Sequence, residues 1–191
     1  AGWNYRSVLP YCQKLEDQED DTGPWIGKGG PISLLSAGLH DPNPTSRAFI
    51  EACRELGYPA TDDFNGPHME GTGWHHVNIR DGKRWSAREG YLLPALARPN
   101  VTLSASSQTT RLLFEGWRCV GVEYSQNGTL QTARADREVL VCAGAIESPK
   151  LLLLSGIGDP NQLQQFAIPV VAALPGVGEN FHNHVLTGVI Q

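Results

Sequence analysis

The sequence lacks the features that mark membrane-spanning and nucleic-acid-binding proteins. Its 191 residues contain no continuous apolar run of the roughly 18 residues that a membrane-spanning helix requires. Positive charge is also scarce, since 15 Lys and Arg stand against 20 Asp and Glu, for a net charge of −5. Binding to nucleic acid or to an anionic membrane surface needs clustered positive charge. We therefore expect neither a membrane span nor a nucleic-acid partner.

Cysteine is scarce and widely spaced. Cys12, Cys53, Cys119 and Cys142 form no C-x-x-C pair and no cluster with His, so we expect no zinc site and no other metal site. Cys53 and Cys142 lie in apolar runs, which predicts small buried side chains. Reduced thiols are the simpler assumption for this spacing, and they predict a cytoplasmic protein.

Apolar residues are plentiful enough for a core, because 40% of the residues are hydrophobic and only 18% are charged. Gly and Pro number 21 and 13, which predicts many turns and irregular loops. Helical and extended patterns both occur, and we assign the chain to the α/β class, in the sense of a mixture of helices and strands. The first residue is Ala1 rather than Met, so we expect a processed chain or a segment of a longer one.

Helical patterns prevail in the first half of the chain. Residues 4–15 have the apolar spacing of a helix, whereas the acidic run 16–21 is typical of a solvated loop. Ser86 and Glu89 have the spacing of a capping box, which predicts a short helix that Pro94 disturbs.

A second helix is predicted from its end signals. Asn43 is the cap, Pro44 is the first helical residue and Gly57 ends the helix. The apolar spacing predicts a buried stripe made of Ala48, Phe49, Ala52, Cys53 and Leu56.

Beyond residue 99 the pattern becomes extended. Residues 101–104 predict a short strand. An antiparallel meander is predicted from three segments: Arg111–Phe114, Cys119–Tyr124 and Thr129–Ala133. Asn127 and Gly128 favour the positive φ angles of a type I′ hairpin between the last two strands.

A predicted strand, a turn of small residues and a helix follow the meander. Glu138–Cys142 is a continuous apolar run, which predicts a strand buried on both faces. Ser148 and Pro149 begin the helix, and Gly156 ends it. The small residues Ala143–Ala145 between them allow a ligand to approach the backbone, and free N–H groups at a helix start favour anions. Close packing and ordinary helix capping explain the same pattern, so both interpretations stay open.

Several short motifs follow one another along the chain. They are Trp3-Asn4-Tyr5 with Val8-Leu9-Pro10-Tyr11, Asp63-Phe64-Asn65-Gly66, Arg84-Trp85-Ser86-Ala87 with Tyr91-Leu92, the block from Gly144 to Gly158, and Leu174-Pro175-Gly176-Val177-Gly178-Glu179-Asn180. Together they resemble the motifs of the glucose–methanol–choline (GMC) oxidoreductases. The resemblance covers essentially all 191 residues.

The resemblance implies a flavoenzyme that oxidises a primary alcohol by hydride transfer to FAD, close to the choline-dehydrogenase-like members. The family's G-x-G-x-x-G fingerprint, and its catalytic His with a His or Asn partner, have no counterpart here, so we expect no catalytic residue in this chain. His182 and Asn183 stand in a loop similar to the family's N-L-Q-D-H, where we expect roles in loop structure and hydrogen bonding.

The resemblance also implies where FAD is bound. Thr109 stands where the family usually has a Val whose main chain meets the adenine, and a main-chain contact tolerates this replacement. Cys142, Ala143, Gly144 and Ile146 occupy the loop that borders the adenine and ribose. We predict these five residues as the cofactor-binding residues of this chain.

Three regions follow from the same resemblance. Residues 1–98 would supply substrate-side and connecting structure, and residues 99–160 would supply the meander and a strand–helix unit of the FAD-binding domain. Residues 161–191 would lead back towards the substrate domain.

Two alternatives to alcohol oxidation stay open at this stage. One is a hydroxynitrile lyase, because that chemistry also occurs on this fold with FAD bound but not reduced. The other is a non-catalytic module that assembles with complementary chains. If the chain is only a part of the enzyme, unpaired sheet edges predict that it self-associates.

Overall fold

The computed structural model describes residues 2–20 and 23–185. The chain forms two compact units, Ala1–Leu103 and Ser104–Gln191. The predicted boundary at residue 98 lies slightly earlier, and the predicted region 161–191 falls within the second unit. The assignment of these units to a substrate side and an FAD side stays a prediction. Among the described residues, no helix combines the length and apolarity that crossing a bilayer demands.

The first unit combines a small mixed sheet with short helices. Its helices are α1 (Tyr5–Leu15), α2 (Pro44–Glu55) and α3 (Leu93–Leu96), and its strands are β1 (Glu16–Gln18), β2 (Ile32–Ser36), β3 (His76–Val77), β4 (Ile79–Arg80) and β5 (Lys83–Arg84). The sheet has the order β1-β2-β3, with β1 parallel and β3 antiparallel to β2. Strands β4 and β5 form a separate hairpin.

The helix predicted at 4–15 is confirmed, but the first three residues of the acidic run after it do not form a solvated loop. The side chain of Asn4 caps α1 by accepting a hydrogen bond from the Ser7 N–H at 3.1 Å. Glu16–Gln18 form β1, and strand alternation turns Gln18 inward to 1% exposure. The prediction is wrong for Glu16–Gln18, because pairing with β2 rather than polarity decides their burial. Residues 19 and 20 are exposed bends, as predicted, and residue 21 lies outside the described residues.

The ends of α2 are as predicted, but its buried face is not. Asn43 accepts a hydrogen bond from the Thr45 N–H at 2.8 Å, and Gly57 has the positive φ that ends the helix. The predicted stripe is wrong, since Phe49 is 58% exposed and Leu56 is 78% exposed. The helix buries Ile50 instead, because only that side has neighbours in the described part of the unit.

The capping box before α3 is confirmed. The Ser86 N–H donates to Glu89 Oε2 at 3.0 Å. Hydrogen bonding by Ser86 and then by Arg88 lowers the pKa of Glu89 to about 2. A wide π-helical turn, Arg88–Leu92, precedes α3. Pro94 sets this wide turn, because it lacks the N–H that a regular helical turn would use.

The second unit contains the predicted meander. Its strands are β6 (Ser107–Glu115), β7 (Arg118–Gln126), β8 (Thr129–Arg134), β9 (Ile157–Gly158) and β10 (Ala172–Ala173), and its helices are α4 (Gly144–Leu154) and α5 (Pro160–Gln165). Strands β6, β7 and β8 are antiparallel in that order. Asn127 and Gly128 have φ angles of 51° and 77°, which confirms the type I′ hairpin.

Two predicted strands and one helix start are wrong in this unit. Residues 101–104 and 138–142 are irregular, and Leu140 is 76% exposed. A strand needs a neighbour for its N–H and C=O groups, and no described strand pairs with either segment. Helix α4 begins at Gly144 rather than at Ser148, whose hydroxyl accepts a hydrogen bond from the Ala143 N–H at 3.1 Å.

The predicted burial of the cysteines is also wrong for Cys142, which is exposed, and Cys53 is only half-buried. The thiol of Cys142 belongs to the irregular segment whose strand partners are absent among the described residues. All four cysteine thiols are free.

A buried hydroxyl joins the meander to α4. The Leu112 N–H of β6 donates to Ser155 Oγ at 2.9 Å, and this hydroxyl donates to the Leu151 carbonyl at 2.6 Å. Leu112 and Leu151 are themselves buried, and Leu163 of α5 is 1% exposed. The apolar core of this unit therefore contains one polar bridge, which fixes the distance from the sheet to the helix.

Replacing Ser155 with Ala should lower the free energy of unfolding by about 1–3 kcal/mol, because the Leu112 N–H stays buried without a partner. Thermal and urea unfolding followed by circular dichroism measure this loss. Ser46→Ala is the matched control, since Ser46 is exposed on α2. Equal losses in the two variants would contradict a structural role for the bridge.

Candidate functional site

A cleft of about 1260 Å³ lies in the second unit. One wall is the start of β6, the opposite wall is α4, and the irregular segment 139–143 closes one side. The cleft is larger than the usual small-molecule pocket, and it suits an extended ligand of dinucleotide size.

The β6 wall is polar and is shaped by a β-bulge. Thr109 pairs with Tyr124 and Arg111 pairs with Glu123, so Thr110 is an extra residue without a partner in the register. The Thr110 hydroxyl donates to Glu123 Oε1 at 2.9 Å, and the Arg111 guanidinium donates to Glu123 Oε2 at 2.9 Å. These bonds, that of Thr110 first, lower the pKa of Glu123. The bulge and the carboxylate together fix the backbone beside Thr109.

The side of the cleft formed by α4 and the segment 139–143 carries both apolar and charged side chains. Val141, Leu151 and Leu154 contribute apolar surface to the cleft. Lys150 and Glu147 form an ion pair on α4 at 2.9 Å, and both side chains are about half exposed. A ligand in the cleft would therefore meet apolar side chains on one side and hydroxyl and main-chain groups on the other.

Three of the five predicted cofactor residues line this cleft: Thr109, Cys142 and Ala143. Gly144 follows directly as the first residue of α4, with a φ of 87°. A Cβ atom on Gly144 would meet nothing within 4 Å, so the backbone is open to a ligand there. Ile146 is 67% exposed and is absent from the lining of the cleft. The role of these five residues in binding stays a prediction.

Sequence reasoning missed most of the polar wall. Ser106, Ser107, Gln108 and Thr110 line the cleft beside Thr109. Their only signal in the sequence is an uninterrupted polar run at the start of a strand, which by itself does not distinguish a cavity wall from a solvated edge.

The donor set of the cleft fits the nucleotide part of FAD. Hydroxyl and amide groups of the β6 wall can bind a ribose and the edge of a purine, and the apolar side chains of α4 can pack on the ring face. Free N–H groups at the start of α4, next to the open Gly144, favour an anionic group. The residues present therefore suit a nucleotide cofactor.

Comparison with known proteins agrees with this geometry. The GMC oxidoreductase family matches residues 1–186. The chain belongs to this family. It is 46% identical to the mitochondrial choline dehydrogenase of Homo sapiens, over 96% of this chain and 31% of that protein. It is 45% identical to the oxygen-dependent choline dehydrogenase of Brucella anthropi, over 96% of this chain and 33% of that protein.

Solved structures support the same fold. Pyridoxine 4-oxidase from Mesorbium loti superposes with a TM-score of 0.83 at 34% identity, over 91% of this chain and 34% of that chain. An FAD-dependent oxidoreductase from Chaetomium thermophilum superposes with a TM-score of 0.84 at 29% identity, over 92% and 32%. The predicted family, the mixed α/β fold of an FAD-binding GMC oxidoreductase and the cofactor FAD are thus confirmed. This GMC chain spans about a third of the length of the curated relatives it matches.

Replacing Thr110 with Val in this GMC chain should raise the pKa of Glu123 towards its ordinary value, because the largest stabilising hydrogen bond of the carboxylate is lost. Carbon-detected NMR titration of the carboxyl group measures this shift. Thr132→Val is the matched control, since Thr132 lies opposite Glu123 on β8 and is exposed.

The same change has a predicted pH dependence. A carboxylate with a lowered pKa stabilises the folded state above its unfolded pKa, and this stabilisation is lost as the pH falls through the folded pKa. The stability difference between wild type and Thr110→Val should therefore shrink on acidification below the ordinary pKa of Glu. A difference independent of pH would show that the bond does not act through Glu123.

Proposed function

We propose that this chain is one part of an FAD-dependent oxidoreductase that oxidises a primary alcohol, and that its cleft receives the adenosine end of the cofactor. The observation that carries the proposal is the cleft itself, in which Thr109, Cys142 and Ala143 share one surface. The identity to choline dehydrogenases supports a small alcohol of the choline type as substrate.

The chain's own residues would bind and orient the cofactor. Main-chain groups at Thr109 and at Cys142 and Ala143 would hold the nucleotide, and the open backbone at Gly144 would allow close approach. Val141 would pack against the ring, because it lines the cleft with an apolar side chain. When bound, FAD supplies the hydride acceptor for alcohol oxidation. Under this proposal the bulge at Thr110 positions the wall and does not contact the reacting atoms.

We propose further that the isolated chain has no turnover. None of the histidines among residues 2–20 and 23–185 lines the cleft, and His182 and Asn183 are exposed in an irregular segment. A proton acceptor for the alcohol would therefore come from elsewhere in the enzyme. A cytoplasmic location also stays a proposal, to which the four free thiols lend support.

Self-association of the isolated chain is the companion proposal. The second unit exposes large apolar side chains on segments that a larger protein would cover: Leu140 at 76%, Ile146 at 67% and Phe166 at 70%. Exposed apolar surface of this kind marks an interaction site. Strand β8 adds an edge with all six residues exposed.

A chimaera tests the proposed function. In it, the whole chain, residues 1–191, replaces the matching third of human choline dehydrogenase. We expect a yellow protein with bound flavin that choline reduces in the absence of oxygen. Ala143→Trp should weaken FAD binding at least tenfold by filling the cleft, whereas Ala133→Trp on the exposed β8 should leave it unchanged. Equal flavin retention in both variants would contradict the proposed cofactor position.

The same chimaera distinguishes the oxidoreductase from the hydroxynitrile lyase alternative. Bound flavin that no alcohol reduces, together with cleavage of a cyanohydrin, would favour the lyase. Bound flavin that an alcohol reduces would favour the oxidoreductase.

The isolated chain should be colourless, because its cleft would hold only the adenosine end of FAD. It should also self-associate, because its apolar segments are uncovered. Absorbance near the flavin bands and size-exclusion chromatography with light scattering measure both properties. Leu140→Lys should shift the mass towards the monomer, whereas the exposed Leu130→Lys on β8 tests the strand edge separately. A clean monomer at high concentration would overturn the self-association proposal.

A further inference from the structure

A second cavity lies in the first unit, unrelated to the cleft that the proposed function uses. Its volume is about 300 Å³, at the small end of ligand pockets. The floor is one face of the β1-β2-β3 sheet, where Gln18 and its register partner Leu34 both line the cavity. Helix α1 and the loop that carries Trp25 line other sides.

Gln18 is the unusual residue of this cavity. It is 1% exposed, yet neither Nε2 nor Oε1 of its side chain has a hydrogen-bond partner. Its backbone is fully used, since its N–H donates to the Gly27 carbonyl at 3.1 Å and its carbonyl accepts from Lys28 Nζ. Buried polar side chains in folded proteins are almost always hydrogen-bonded, so the free amide needs an explanation.

Both carboxylates that line the cavity are already engaged. Glu16 Oε2 accepts a hydrogen bond from the Gly27 N–H at 3.4 Å. Asp63 Oδ1 accepts from the Asn65 N–H at 2.8 Å and lies 3.7 Å from His76 Nδ1. Among the described residues, the Gln18 amide is the buried group of the cavity that offers a free donor and a free acceptor side by side.

We propose that this cavity binds a small uncharged ring compound that carries an amide-like edge, with one acceptor for the Gln18 N–H and one donor for its C=O. A planar edge of this kind pairs with a carboxamide through two parallel hydrogen bonds. The apolar lining suits the ring, and Tyr5 and Trp25 form an aromatic pair with centroids 6.0 Å apart that also lines the cavity.

The charged side chains of the cavity also decide which ligands it accepts. Among the described residues that line the cavity, Glu16 and Asp63 carry carboxylates, and none is Lys or Arg. An anionic ligand would therefore be repelled, and a neutral amide is preferred over the carboxylate of the same shape. The site rests on residues of the first unit alone and does not depend on the proposed cofactor cleft.

Three probes of one shape test the proposal by ligand-observed and amide-detected NMR on the chain. Benzamide offers a donor and an acceptor, acetophenone offers an acceptor only, and benzoate is anionic. We expect benzamide to bind at least tenfold more tightly than acetophenone and to shift the side-chain NH₂ signals of Gln18. Benzoate should not bind.

Gln18→Leu keeps the size of the side chain and removes both polar atoms, so it should fold while weakening benzamide at least tenfold. Gln165→Leu on the exposed end of α5 is the matched control and should leave binding unchanged. Equal binding of benzamide and acetophenone, or benzamide binding that Gln18→Leu does not alter, would overturn the proposal. Gln18 NH₂ signals of the wild type that do not shift when benzamide is added would also overturn it. Water would then be the sole partner of the amide. This measurement does not depend on a folded variant.

Discussion

The hydroxyl of Ser155 holds the second unit together at the point where its site is formed. It accepts the Leu112 N–H of β6 and donates to the Leu151 carbonyl of α4, both inside the apolar core. Strand β6 is an edge of its described sheet, so the Leu112 N–H has no ladder partner on that side. Because the two walls of the cleft are β6 and α4, the same bond that satisfies a buried donor also sets the width of the cleft.

Local signals explain the parts of the fold that the sequence predicts well. Asn4 and Asn43 cap their helices, Asn127 and Gly128 form the hairpin turn, and Ser86 with Glu89 forms the capping box. Each of these depends on neighbours within a few residues, so the residue types themselves carry the information. The family motifs are short local patterns too, and the resemblance that they carry predicts FAD as the cofactor.

Burial was harder to predict, because it depends on what packs against a segment rather than on the segment itself. Phe49 and Leu140 have the patterns of buried residues and are exposed, whereas Gln18 stands in an acidic run and is buried. The candidate site shows the same division: motifs predict Thr109, Cys142 and Ala143, whereas the polar residues beside Thr109 form a cleft wall only through the tertiary packing around β6. A register shift of one residue has no clear trace in the amino-acid pattern.

Exposed apolar side chains and unpaired buried polar groups are both unfavourable within their own unit, and a partner would relieve each of them. Exposure of an apolar segment such as 138–142 to water is unfavourable until another surface covers it, which is the thermodynamic basis for assembly. A buried amide such as that of Gln18 loses hydrogen-bond energy until a polar group meets it, which is the basis for ligand binding. The first kind of violation is relieved by a broad apolar surface and the second by one small complementary group. The chain therefore has two features that a partner would stabilise: an exposed apolar segment in the second unit and an unpaired buried amide in the first.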